Sequence, residues 1–271
     1  MRKALVPLLC LFALAGVSVA SAAAPACRNT QDFSAWLADL RQQAAGQGIS
    51  ARALRALDGV TLDPAVLKLD RNQRHFRQSF EQFSRNRISP GRVARARSML
   101  ERNARLFARV EQKFGVPKEI LVAIWAMETD FGANMGNRPV LRSLATLAYD
   151  CRRSELFTTN LLDALRVIDR GDLAPAQMKG AWAGELGQTQ FMASSYYRYG
   201  VDFDGDGRAN LIASVPDVIA STANFLRGHG WRAGGPWGEG SANFAALREW
   251  NRAEVYAKTI AAFADRLAAG S

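Results

Sequence analysis

The chain has 271 residues, is 48% hydrophobic and carries a formal net charge of +10. Those values describe an ordinary globular protein, able to bury a substantial core as one large domain or two closely joined lobes. With only two histidines, His75 and His229, no zinc-type His/Cys spacing and no phosphate-loop or dinucleotide fingerprint, several catalytic systems are excluded at once.

Arg2 and Lys3 precede an apolar run over residues 4–19 and the small residues Ala20, Ser21, Ala22, Ala23 and Ala24. This is the pattern of a secretory signal peptide over residues 1–24, too short to be read as a membrane span. The approach to Cys27 lacks the leucine-rich character of a lipoprotein signal, so a soluble exported protein, periplasmic in location, is expected. Cys10 leaves with the signal. Cys27 and Cys151 then remain in an oxidising compartment, where one disulfide between them is expected and two free thiols are the alternative. Removal of Arg2 and Lys3 lowers the charge to +8. In an exported chain this basic balance points to an anionic envelope polymer or membrane surface, and no nucleic-acid partner is expected.

Helical spacing dominates the mature chain. Thr30 is expected to cap a helix carrying Phe33, Trp36, Leu37 and Leu40. Ser89-Pro90 opens a second run of about two dozen residues with Val93, Ala96, Leu100, Phe107, Val110 and Phe114 on one side. The arginines of this region, among them Arg85, Arg92, Arg95 and Arg109, are spread over helix faces and read as solvated surface.

Val116-Pro117-Lys118-Glu119 starts the next helix, and Gly132 and Gly136 mark its stop. Within it Leu121, Ile124 and Glu128 fall at i, i+3 and i+7, on the face turned to the core. A carboxyl group there, near the negative end of the helix dipole, is costly to ionise and is a candidate general acid. A structural glutamate paired with an arginine is the competing reading.

Further helices are expected over residues 154–168, 216–226 and 254–267. No segment alternates as a strand does, so any sheet is small. Between Gly171 and Gly200 the helical pattern gives way to Lys179-Gly180-Ala181-Trp182-Ala183-Gly184-Glu185-Leu186-Gly187-Gln188-Thr189-Gln190-Phe191-Met192. Glycines interleaved with Trp, Gln, Thr and Phe suit a ligand groove, or a loop that needs them for its turns.

Asp202, Asp204 and Asp206 with Gly207 then follow the first half of a calcium loop, in which Arg208 is counted among the metal-site residues. Ala213 stands where such a loop has its bidentate Glu, and Asp217 is the candidate that closes the coordination sphere. A metal-free Asx-turn is the alternative.

Taken together the residues resemble the lytic murein transglycosylases of the membrane-bound B type, a lysozyme-like family acting on peptidoglycan. The resemblance rests on Asp70-Arg71-Asn72-Gln73 with Phe76, 88–92, 114–117, Met127-Glu128-Thr129-Asp130-Phe131-Gly132, 144–147, Arg152-Arg153, 184–192, Ser194-Ser195-Tyr196, the Asp-rich loop, 223–225, and Trp250-Asn251 with Tyr256. It implies a mainly α fold: a lysozyme-like helical core over 116–268, including the calcium-type loop 202–217, an additional helical lobe over 28–115, and at most a small β element.

The resemblance also implies the chemistry. The β-1,4 bond between N-acetylmuramic acid and N-acetylglucosamine is cleaved without water, leaving a 1,6-anhydro end. Glu128 is the single acid/base, Arg152 and Arg153 line the cleft, Gln190, Asn251 and Tyr256 hold sugar amides and hydroxyls, and a structural Ca2+ sits in the Asp loop. The expected partners are peptidoglycan glycan strands and cell-wall machinery, with the protein itself a monomer. Ala181 departs from the serine often found at its position. Two competing functions are a lysozyme-type hydrolase with Asp130 or Glu185 as second carboxylate, and a peptidoglycan-binding protein that does not cleave.

Overall fold

Side-chain oxygens open many of the helices. In the computed structural model, which describes residue 29 and residues 31–72 and 78–270, Asp32 caps α1 (Phe33–Gly46), Ser50 caps α2 (Ala51–Leu54) and Asp63 caps α3 (Pro64–Arg71). Ser79 caps α4 (Phe80–Arg87) and Ser89 caps α5 (Pro90–Arg102). Each accepts a hydrogen bond from backbone N–H groups that the first helical turn leaves unpaired. The cap expected at Thr30 is thus made by Asp32. Thr30, the segment 1–24, Cys27 and His75 lie outside the described residues. Cys151 is disulfide-bonded.

The single long helix expected after Ser89 is two. Asn103 ends α5 and precedes α6 (Ala104–Phe114), with its side-chain amide donating to the Met99 carbonyl at 2.9 Å. An asparagine side chain that competes for a backbone carbonyl breaks the ladder without breaking the apolar stripe, so periodicity alone runs through it.

α7 (Lys118–Thr129) is the centre of the fold, with residues 120–127 all buried. It packs against α5, α6, α11 (Val215–Gly228) and α13 (Glu254–Ala268). Because α7 is enclosed all round, Glu128 is covered by the packing of the whole helix end and not by one apolar face alone. Burial of each large apolar side chain here is worth about 1.5–3 kcal/mol.

The helix stops two residues before Gly132, at Asp130 (φ 55°), followed by Phe131 (φ 63°), both left-handed. Two non-glycine residues in that region are costly and need external support. Arg95 supplies it, donating to the Asp130 carboxylate at 2.8 Å while its guanidinium lies over the Phe131 ring. Thr129 Oγ1 accepts from Gly132 N at 2.8 Å.

The second half of the chain adds β1 (Arg138–Pro139), α8 (Val140–Tyr149), α9 (Ser154–Arg170), β2 (Lys179–Gly180), α10 (Ala193–Tyr199) and α12 (Ala242–Trp250). β1 and β2 pair antiparallel, Arg138 opposite Gly180, which is the small β element expected. α8 and α10 pack on α9. α12 and α13 bring Trp250 and Tyr256 back across the end of α7, more than 120 residues after Glu128.

Candidate active site

Glu128 is the penultimate residue of α7, half-buried, with its carboxyl opening into a cavity of about 370 Å³. Trp250 Nε1 donates to Glu128 Oε1 at 2.8 Å and Tyr256 Oη donates to the same oxygen at 2.6 Å. Both donors therefore hold Oε1, and among the described residues Oε2 has no protein hydrogen bond. Burial raises the pKa of Glu128 from 4.5 to about 7, against the Tyr256 and Trp250 hydrogen bonds that lower it; the Glu185 carboxyl adds to the rise. The arrangement suits proton donation near neutral pH from Oε2. Two neutral donors are already in place to stabilise the carboxylate that results.

The donors are themselves fixed by packing. Trp250 sits edge-on against Phe191 and Phe225, with ring centroids 5.2 and 5.0 Å away. Tyr256 is 9% exposed, and burial together with Glu128 pushes its phenol well above its ordinary pKa, so it stays a neutral donor. Tyr256 was expected to hold sugar groups. Its hydroxyl donates its proton to Glu128 and keeps lone pairs able to accept from a sugar hydroxyl.

The opposite wall is the glycine-rich segment, folded into an arch. Ala181 N donates to Glu185 O at 3.0 Å, and Leu186 and Phe191 exchange backbone hydrogen bonds at 2.8 Å each. A Cβ on Gly180 would stand 1.9 Å from Glu185 O, and one on Gly136 would stand 2.3 Å from Gly180 O. The arch closes only because these positions lack side chains. Gln188 fastens it to α7: its Oε1 accepts from Trp125 Nε1 at 2.9 Å and its backbone carbonyl accepts from Thr129 Oγ1.

Of the residues expected to bind substrate, Gln190 and Asn251 line the cavity with Glu128. The Gln190 amide nitrogen donates to the carbonyls of Gly187 and Met135, and Asn251 Oδ1 accepts from Ala253 N. Arg152 and Arg153 are not among the lining residues. Both clamp the carboxylate of the buried Asp70, Arg152 Nε at 2.7 Å from its Oδ2. They are ion-paired within the protein, yet their side chains stay 44% and 34% exposed, and the Arg153 charge lowers the pKa of Glu185, a residue of the cavity wall.

Sequence reasoning gave Trp250 no role, and it did not draw Glu249 and Ser195 into the cavity they help to line. Only the resemblance, through the roles it implies for Asn251 and Tyr256, pointed to this region as part of the site.

Of the two candidate second carboxylates, Asp130 is spoken for. Arg92 and Arg95 hold it at 3.4 and 2.8 Å, and it does not line the cavity. Glu185 does line the cavity.

In the acidic loop, Asp202, Asp204 and Asp217 bring one carboxylate oxygen each within 4.8 Å of one another. This all-oxygen donor set fits a hard divalent cation. Asp206, expected as a ligand, is not in the cluster; its Oδ1 accepts from Arg208 N at 2.9 Å. Arg208 contributes nothing from its side chain to the cluster. Asp217 is fully buried and accepts from the backbone N–H groups of Phe203, Asp204 and Asn210. Burial raises its pKa, and the Asp204 charge adds to the rise. A bound cation would relieve both effects.

The family model for the transglycosylase SLT domain matches residues 32–241. The chain belongs to this transglycosylase family. It is 44% identical over 127 residues to the membrane-bound lytic murein transglycosylase B of Escherichia coli (strain K12), a match covering 46% of this chain and 35% of that protein. The matched segment thus spans about a third of the curated relative's length. Its fold is similar to that of SltB3 from Pseudomonas aeruginosa in complex with NAG-anhNAM-pentapeptide, with TM-score 0.83, 33% identity, and coverage of 88% of this chain and 80% of that one. The Escherichia coli lytic transglycosylase Slt35 in complex with calcium is similar with TM-score 0.77, 25% identity, and coverage of 86% and 93%.

Proposed function

We propose that this protein is a peptidoglycan lytic transglycosylase that cleaves the β-1,4 bond between N-acetylmuramic acid and N-acetylglucosamine, with Glu128 as its only acid/base. One observation carries this reading: a carboxyl raised to about pKa 7, opening on a cavity through Oε2 while Trp250 and Tyr256 both hold Oε1. The binding of a muropeptide to SltB3, a structural neighbour, supports the substrate class.

In this mechanism Glu128 Oε2–H protonates the glycosidic oxygen as the bond to the muramic C1 breaks. The N-acetylglucosamine side leaves as an alcohol. Glu128, now a carboxylate steadied by the Trp250 N–H and the Tyr256 O–H, takes the proton of the muramic C6 hydroxyl while that oxygen bonds to C1. The acid is regenerated, no water is consumed, and the product ends in a 1,6-anhydro ring. One carboxylate suffices because the substrate supplies its own nucleophile, unlike the two-carboxylate scheme of most glycosidases.

In the same proposal residues 116–268 form the catalytic core, with the preceding helices supporting it. Asp202, Asp204 and Asp217 would hold Ca2+, whose charge would steady the loop that runs into α11. The Slt35 complex with calcium supports this assignment. The basic chain acts on glycan strands in the periplasm after export, as a monomer. Among the described residues no helix is long and apolar enough to cross a membrane.

Replacing the acid tests the role of Glu128. Glu128→Gln is expected to lower muropeptide release from purified sacculi by about 10²- to 10⁴-fold, with sacculus binding retained. Release within tenfold of the parent would remove Glu128 from the mechanism.

A further inference from the structure

Glu185 has an unused hydrogen-bonding capacity that the mechanism above does not employ. It lines the same cavity as Glu128, yet its Oε2 is buried and has no hydrogen-bond partner. Burial raises the pKa of the carboxyl, and the nearby backbone N–H groups of Glu185 and Ala183 act against the rise. Its main chain is pinned: Glu185 O accepts from Ala181 N at 3.0 Å, and the same oxygen lies 1.9 Å from where a Cβ on Gly180 would stand. The side chain is therefore held at the cavity wall by the arch.

A buried carboxylate oxygen without a donor is costly, because it gives up its hydration and gains nothing in return. Such a defect at a cavity wall is relieved when a ligand brings a donor. Arg153 supplies a compensating charge, and Glu128 and Glu249 are the other carboxyls of the cavity. A cationic ligand group has a weaker claim here than a neutral one, because the site works beside a proton donor that a nearby cation would ionise.

Resting on the proposed function, we infer that Glu185 is a glycan-binding residue whose Oε2 accepts a hydrogen bond from an N–H or O–H of the sugar seated beside Glu128. It differs from the water-activating carboxylate of a hydrolase in what it does: it takes no proton, and it fixes the sugar relative to Glu128 Oε2. Neutral sugars offer only hydroxyl and acetamido donors, so a fixed acceptor sets both the depth and the rotation of the ring. The expected kinetic signature of its loss is a rise in KM together with a fall in kcat, since the reacting oxygen is no longer aligned.

The test uses the full mature chain carrying Glu128→Gln, so that ligand binds without turnover, and an N-acetylglucosamine tetrasaccharide as the probe. Calorimetry is expected to show at least a tenfold loss of affinity on adding Glu185→Leu, and a smaller loss on adding Glu185→Gln, whose amide oxygen can still accept. Thermal melting of each variant reports whether the arch is intact. A crystal structure of the Glu128→Gln complex is expected to place a sugar donor within 3.2 Å of Glu185 Oε2, by ordinary hydrogen-bond geometry. Tetrasaccharide bound in the cavity with Oε2 still unpartnered would overturn the inference and leave the proposed function standing, even if Glu185→Leu fails to fold. Affinity within twofold of the parent in a folded Glu185→Leu variant would do the same. Tetrasaccharide that never enters the cavity would count against both.

Discussion

Glu128 and Asp217 are both carboxyls that burial pushes toward protonation, yet the protein treats them in opposite ways. Asp217 spends both oxygens on three backbone N–H groups of one loop, at 2.7, 3.3 and 2.8 Å. Glu128 spends only Oε1, on two side chains from distant helices, and turns Oε2 to a cavity. A perturbed pKa by itself does not separate a catalytic carboxyl from a structural one. Spare hydrogen-bonding capacity facing a cavity separates the carboxyls that can meet a ligand, Glu128 and Glu185, from the structural Asp217.

If that contrast holds, the largest effect on stability comes from Asp217. Asp217→Ala leaves three N–H groups without their acceptor and is expected to cost about 3–5 kcal/mol in urea unfolding. A loss below about 1 kcal/mol would show that the loop is organised by something other than this carboxylate.

The converse is expected at Glu128. Its folded pKa of about 7 lies above the unfolded value of 4.5, so the native state binds the proton more tightly. Stability from this group is fully present below about pH 4.5, is lost as pH rises through about 7, and stays lost above it. Glu128→Gln should therefore be no more stable than the parent at pH 4, and more stable by about 2–3 kcal/mol at pH 8, with the partial exposure of the side chain reducing the gain. Parallel stability curves from pH 4 to 8 would contradict the raised pKa.

Calcium should sharpen the difference at its smallest scale. Chelation is expected to lower the melting temperature of the parent, because a cation bound only to the folded state adds about 2.7 kcal/mol at a hundredfold excess over its Kd. The effect should disappear in Asp217→Ala. An unchanged parent melting curve would count against the cation site.

Local signals in the sequence reached some of these features and missed others for identifiable reasons. Glu128 was legible because an apolar helix with a carboxyl at its end is visible within one segment. The acidic loop was legible from its spacing, but the sorting of its ligands was not: Asp206 and Asp217 look equally suitable until the backbone shows which one turns inward. Trp250 and Tyr256 reach Glu128 from helices that follow it by 122 and 128 residues, a juxtaposition that periodicity does not encode. The pairing of Arg152 and Arg153 with Asp70 was hidden because a sequence shows the charges but not that the carboxylate between them is buried. The break at Asn103 was hidden because the apolar stripe continues through it.

The most direct test of the account is the chemistry of the ends it produces. Mass spectrometry of muropeptides released from purified sacculi by the parent protein is expected to show 1,6-anhydromuramic acid termini, formed without uptake of water. Reducing muramic termini would contradict the account, because they require an activated water and a second working carboxylate in the cavity.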